Sequence, residues 1–163
     1  MKDSIINVHW EGPMEWKEAI KKGRKKGYVL YQICGTHLVY GSDIPLYIGK
    51  TERFASVKLK EHDWWVLHEE YDRVKVRLGS VGKWFDWDHW FNNPSKSYPA
   101  PKGQLKSQLA DVEKLLVLAN QPLYNTQYKS EETVQIKHDI RIFNTGQMGR
   151  LLPEISGTYF LNR

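Results

Sequence analysis

The sequence predicts a mixed α/β domain of the α+β kind, and three observations carry that prediction. Two short apolar and aromatic runs, Gly27 to Ile33 and Leu46 to Thr51, are separated by a break rich in Gly, Ser, Asp and Pro, the pattern of two neighbouring strands in a hairpin. A further run, Arg73 to Gly79, alternates cationic and apolar residues with the period of a strand. Between and after these lie stretches whose apolar residues recur every three or four positions, as on the buried face of a helix. With 163 residues, of which 40% are hydrophobic and 13% aromatic, the chain is long and apolar enough for one ordered core.

Charge and cysteine content narrow the class. The 24 Lys and Arg residues outnumber the 19 Asp and Glu, giving a formal charge of +5 that favours polyanionic partners, since surplus cations neutralise phosphates and release counterions. The single Cys34 has no partner for an internal disulfide and reads as a small buried apolar residue in a reducing compartment, the cytoplasm. Only Ile5 and Ile6 form an apolar patch near Met1, so neither a secretory signal nor a membrane span is expected.

Along the chain, Pro13 opens a stretch in which Met14, Trp16 and Ile20 sit among Glu and Lys, predicting a short amphipathic helix that leads into the basic run Lys21 to Lys26. That run is either a solvated helix end or a phosphate-contacting patch. After the hairpin a helix of about four turns is expected, with Phe54, Val57, Trp64, Leu67 and Tyr71 on its buried face and Lys58 and His62 on a shared flank. In the Arg73 to Gly79 strand, Val74, Val76 and Leu78 should point inward, and Arg73, Lys75 and Arg77 outward. The stretch from Trp84 to Phe91 is the most aromatic in the chain and suits either core packing or a platform for stacked bases. Asp86, Asp88 and His89 lack the spacing of a dedicated metal cage.

Leu105, Leu109, Val112, Leu116 and Ala119 mark a second amphipathic helix ended by Gln121-Pro122. Glu113 stands on the shoulder of its apolar face beside Ala110 and Val117, where a carboxylate needs a cation, hydrogen-bond donors or a proton. Val134 to Phe143 alternates again like a strand, and glycines punctuate the rest. The organisation expected is an N-terminal helix and basic segment over 1–26, a central domain over 27–128, and a C-terminal arm over 129–163 packed upon it.

Val29-Leu30-Tyr31 followed by Tyr47-Ile48-Gly49-Lys50-Thr51 resembles the paired signature of the GIY-YIG nuclease superfamily, with Val29-Leu30-Tyr31 standing where Gly-Ile-Tyr is usual. The order of the remaining features agrees with that resemblance: a basic residue and a histidine on the next helix, Lys58 and His62, then Glu113 and Asn125. The resemblance implies a small domain in which a three-stranded antiparallel sheet is flanked by helices, and metal-dependent hydrolysis of phosphodiesters. Glu113 would hold one Mg²⁺ or Mn²⁺ per site, Tyr31 and Tyr47 would position the attacking water, His62 would help deprotonate it or bind phosphate, and Asn125 would support the site. Lys58 stands where the family uses arginine. Lys50, Arg53, Arg73, Lys75 and Arg77 are the expected phosphate contacts, with DNA preferred over RNA and a homodimer suited to cutting both strands. The alternatives are a catalytically weakened domain that binds nucleic acid without cutting it, and a protein-interaction module.

Overall fold

The computed structural model describes residues 4–62, 74–84, 86–92, 102–130, 134–136 and 139–160. Six strands form one sheet: β1 (Ser4–Glu15), β2 (Val29–His37), β3 (Gly41–Thr51), β4 (Lys75–Lys83), β5 (Ile140–Gly146) and β6 (Glu154–Ser156). Their spatial order is β3-β2-β4-β1-β5-β6. The sheet is mixed, because β1 runs antiparallel to β4 and parallel to β5. It curls into a half-barrel. Among the described residues it carries four α-helices: α1 (Trp16–Gly23), α2 (Ala55–Glu61), α3 (Trp87–Asn92) and α4 (Lys102–Asn120). This corrects the small three-stranded sheet that the resemblance implied. β2, β3 and β4 are antiparallel neighbours, but they continue through β1 into three further strands.

The cause of the larger sheet is the segment Ser4–Glu15. Ile6, Val8 and Trp10 alternate with Asn7, His9 and Glu11, and all three apolar side chains are buried against α4. Pro13 has no N–H for a ladder, and the register shifts between Glu11 and Met14, where Gly12-Pro13 is accommodated as an irregularity. The helix expected from Pro13 therefore starts only at Trp16, which it buries with Ala19.

Both faces of the sheet are covered. On one, Val8, Trp10, Leu30, Ile48 and Ile142 pack against Leu109, Val112 and Leu116 of α4. The Trp10 indole lies on Gly79, where an added Cβ would stand 2.9 Å from the ring, and its Nε1–H donates to Asn144 Oδ1 at 2.9 Å. On the other face, Tyr31, Ile33, Val76 and Leu78 pack against Trp16 and Ala19 of α1 and Ala55 and Leu59 of α2.

The phase of α2 also differs from expectation. Ala55, Ser56 and Leu59 face inward, whereas Phe54 and Val57 are exposed. Close approach to α1 selects the small residues: a Cβ on Gly23 would meet Ser56 N at 2.7 Å. Trp64, Leu67, Tyr71 and Arg73 lie outside the described residues, as does the side chain of Leu105. Within α4, Leu109, Val112 and Leu116 are buried as expected, and the helix ends at Asn120, just before Gln121, whose N–H still reaches Val117 O.

Arg77 requires a second correction. It is buried on β4 rather than lining an outward cationic face, because β4 is covered on both sides. Its guanidinium donates to both carboxylate oxygens of Asp43, at 2.8 and 2.7 Å, and to Cys34 Sγ at 3.1 Å. Cys34 is buried as expected, and burial pushes its thiol up to about 12. Val134 and Ile136 are buried without strand geometry, and the strand of that region begins at Ile140. No helix among the described residues is long and apolar enough to cross a membrane.

Candidate active site

The hairpin β2–β3 brings the two tyrosines together. Gly49 faces Tyr31 across the ladder and Tyr47 faces Ile33, two pairs further along the same side of the sheet, so both rings emerge on the α2 side. The Tyr31 and Tyr47 rings stack with centroids 6.0 Å apart. A Cβ at Gly49 would lie 2.5 Å from the Tyr31 hydroxyl and 2.9 Å from the Tyr47 ring. The glycine of Tyr47-Ile48-Gly49 is thus required by the close approach of Tyr31 over the neighbouring strand.

His62, at the C-terminal end of α2, completes an aromatic trio. Its ring lies 5.7 Å from that of Tyr31 and 5.4 Å from that of Tyr47, and its Nε2 is 3.0 Å from the Tyr31 hydroxyl. Tyr31 also shares a hydrogen bond with Tyr47. With either His62 tautomer, the Tyr31 hydroxyl donates to one neighbour and accepts from the other.

Glu113 and Asn125 reach the same strand from its open edge. Glu113 Oε1 accepts the Lys50 N–H at 3.0 Å. Asn125 accepts from Ile48 N at 2.9 Å and donates to Ile48 O at 2.8 Å, standing in for a neighbouring strand. Leu123 N and Tyr124 N donate to Pro45 O and Leu46 O, so the segment after α4 satisfies much of the β3 edge.

Electrostatics couple these groups. Burial raises the pKa of Glu113, and the cations of Lys50 and Lys58 and the Lys50 N–H offset only part of that shift. Burial raises both tyrosines as well, and the carboxylate of Glu113 adds to the rise in each. His62 is lowered by burial and then by Lys58, which favours the neutral imidazole near pH 7. A partly buried carboxylate therefore lies within electrostatic reach of two protonated phenols that adjoin a neutral imidazole.

The cationic residues are distributed differently. Lys58 Nζ lies 3.2 Å from Glu61 Oε2, and Arg53 Nη2 lies 2.6 Å from Oε1 of the same carboxylate. Lys50 pairs with Glu52 at 3.6 Å, and Lys75 is exposed. In the basic run that spans the end of α1, Lys22 and Lys26 both bind Glu11. Asp86 accepts the His89 N–H at 2.6 Å, a helix-capping contact at the start of α3. Trp84 stacks on Phe143 at 4.7 Å, whereas Trp87 and Phe91 are exposed.

Three contributors went unnoticed in the sequence. Glu61 governs both Arg53 and Lys58, and its spacing of three residues from Lys58 was a readable signal. Gly49 belonged to a recognised motif but had no assigned reason. Asp43 neutralises Arg77 across the hairpin, and no local pattern announces that pair.

A divalent ion can be tested against this donor set. Among the described residues, no three His, Cys, Asp or Glu side chains form a metal cage. Glu113 offers one partly buried carboxylate whose Oε1 holds a backbone N–H, and a nearby divalent charge would offset its desolvation. That fits an ion held by a single protein carboxylate and otherwise by water and phosphate, the usual arrangement for Mg²⁺. No family model matches the chain, and no curated protein or solved structure is significantly similar to it.

Proposed function

We propose that this protein hydrolyses phosphodiester bonds in nucleic acid, with DNA as the preferred substrate and one Mg²⁺ or Mn²⁺ per site. The observation that carries the reading is the meeting of Tyr31, Tyr47 and His62 within electrostatic reach of the partly buried carboxylate of Glu113. These residues are far apart in sequence and follow the order of the GIY-YIG signature.

Glu113 would hold the ion, which supplies Lewis acidity toward the phosphoryl and leaving oxygens. The tyrosine hydroxyls would orient the attacking water. Neutral His62, hydrogen-bonded to Tyr31, would accept a proton through that hydroxyl as the water attacks. Lys58 would place its charge near the phosphate by leaving Glu61, an exposed pair worth little in water. Asn125 holds Ile48 in register, and thereby sets where Tyr47 and Gly49 sit. Lys50, Arg53 and Lys75 would contact flanking phosphates, and two copies acting together would cut both strands. The buried thiol of Cys34 fits a reducing compartment, and we place the protein in the cytoplasm.

One observation favours a second reading, a domain that binds nucleic acid without cutting it. Glu61 engages both Lys58 and Arg53, two of the cations proposed to meet phosphate. Incubation with single- and double-stranded DNA and RNA, in Mg²⁺, Mn²⁺ or chelator, separates the two. Metal-dependent products that disappear in Tyr31→Phe support the hydrolase. Salt-sensitive binding with no product under any metal supports the binder.

A further inference from the structure

A cavity of about 530 Å³ opens beside β3 two residues before Tyr47, between Ile44, Pro45 and Leu123 on one side and the end of α4 on the other. Lys129 and Arg150 line it, with the half-exposed ring of Tyr40 at the rim. Its volume suits a ligand of nucleotide size.

Backbone carbonyls fix both cations in place, and the charge of Arg150 also reaches the carboxylate of Asp43. Lys129 Nζ donates to Pro122 O at 2.8 Å, which leaves two of its three donors. Arg150 Nη1 donates to Tyr40 O at 2.8 Å and Ser42 O at 3.3 Å. The guanidinium edge formed by Nε and Nη2 remains, which is the fork that grips a phosphate with two parallel bonds. Among the described residues neither cation has a carboxylate in an ion pair. The nearby Asp43 already holds Arg77 with both oxygens.

The cavity wall is also built with unusual backbone. Of the four non-glycine residues with positive φ among the described residues, Gln121 lines this space, and Asp43 and Tyr128 precede the lining residues Ile44 and Lys129 in the chain. Such conformations cost free energy and persist where surrounding structure holds them. Here Gln121 Nε2 donates to Leu118 O and Lys129 O, tying the chain around Lys129 to the helix end.

We infer that this cavity binds a nucleotide, its phosphate on Arg150 and Lys129 and its base against Tyr40 and the apolar floor of Ile44 and Leu123. The nucleotide is either free or part of a bound strand. The strand source rests on the phosphodiester reading above, since Pro45 stands roughly 16 Å along β3 from Lys50, or about five stacked nucleotides.

The test uses the full chain and isothermal titration with AMP, adenosine, inorganic phosphate and a six-residue oligodeoxyadenylate. AMP should bind more tightly than adenosine or phosphate alone. Arg150→Gln should weaken it about tenfold or more, the scale of a charge-assisted hydrogen bond. Because Arg150 also clasps the hairpin, Lys129→Met and the rim variant Tyr40→Ala are measured beside it, with melting curves to show that each is folded. An oligonucleotide that outbinds AMP and loses affinity in the same variants identifies a strand as the source. Equal affinities identify the free nucleotide. No saturation by AMP or oligonucleotide, or unchanged affinity in all three folded variants, overturns the inference. Glu113→Gln distinguishes the two proposals: retained nucleotide binding with cleavage unchanged would sink the metal site and leave this pocket standing.

Discussion

Glu113→Gln tests the site through stability as well as activity. The folded-state pKa of Glu113 is raised, so the favourable contribution of its neutral form is fully present below the unfolded value near 4.5 and is lost as pH rises through the folded one. In the charged form burial disfavours the carboxylate, and Lys50 and Lys58 only partly offset that cost. Glutamine keeps the Oε1 acceptor for the Lys50 N–H and removes the charge. Relief on the scale of one imperfectly satisfied buried group, about 1 kcal/mol, should raise Tm by about 2–4 °C in chelator at pH 7. The difference should vanish at pH 4, where the wild-type carboxyl is protonated. Mn²⁺ should raise the Tm of wild type and not that of Glu113→Gln, since only an ion bound to the folded form stabilises it. Differential scanning calorimetry at both pH values, with and without Mn²⁺, provides the measurement. A variant less stable than wild type at pH 7, or one that gains as much from Mn²⁺, would refute the reasoning. Metal-dependent cleavage should be abolished in the same protein.

Tyr31→Phe and Tyr47→Phe keep ring packing and delete one hydroxyl each, so turnover should fall about a hundredfold while DNA affinity in filter binding stays within about twofold. Lys58→Ala should lower turnover roughly ten- to a thousandfold and Lys58→Arg should preserve or raise it, as measured by single-turnover cleavage; full activity in the alanine variant would shift the role to Arg53. Gly49→Ala pushes a methyl into the Tyr31 hydroxyl, and should cost about 1–3 kcal/mol in urea titration while displacing the tyrosine pair. Asp43→Ala leaves Arg77 buried without its carboxylate; because Asp43 keeps 42% of its side chain exposed, the loss should be about 2–3 kcal/mol rather than the roughly 3–5 of an enclosed pair, read as a drop in Tm.

The tyrosine pair and Glu113 were legible because each depends on short-range pattern: a hairpin register for the first and one helical shoulder for the second. The sheet was not, because its extent is decided by β1. The alternation of Ile6, Val8 and Trp10 was present in the sequence, but Gly12 and Pro13 drew attention to a helix start that lies three residues later. Hydrophobicity ranks Phe54 and Val57 above Ala55 and Ser56 and so points the wrong face of α2 inward, whereas the short distance to Gly23 rewards small side chains. Arg77 was placed outward by alternation alone. That rule assumes one solvated face, and β4, with neighbours on both edges and cover on both faces, has none at that position.

The position of β1 also bears on how the chain reaches its fold. β1, which precedes the other five strands in the chain, is flanked in the sheet by β4 and β5, and His9 bonds Thr145 across a separation of 136 residues. At synthesis rates of about 5–20 residues per second, that interval lasts roughly 7–27 s. Throughout it, Ile6, Val8 and Trp10 await their parallel partner, and the edge of β1 remains open to strands of other nascent chains. Late, long-range parallel pairing is slow to form, so yield in the cell should depend on chaperone supply and temperature more steeply than equilibrium stability alone would dictate.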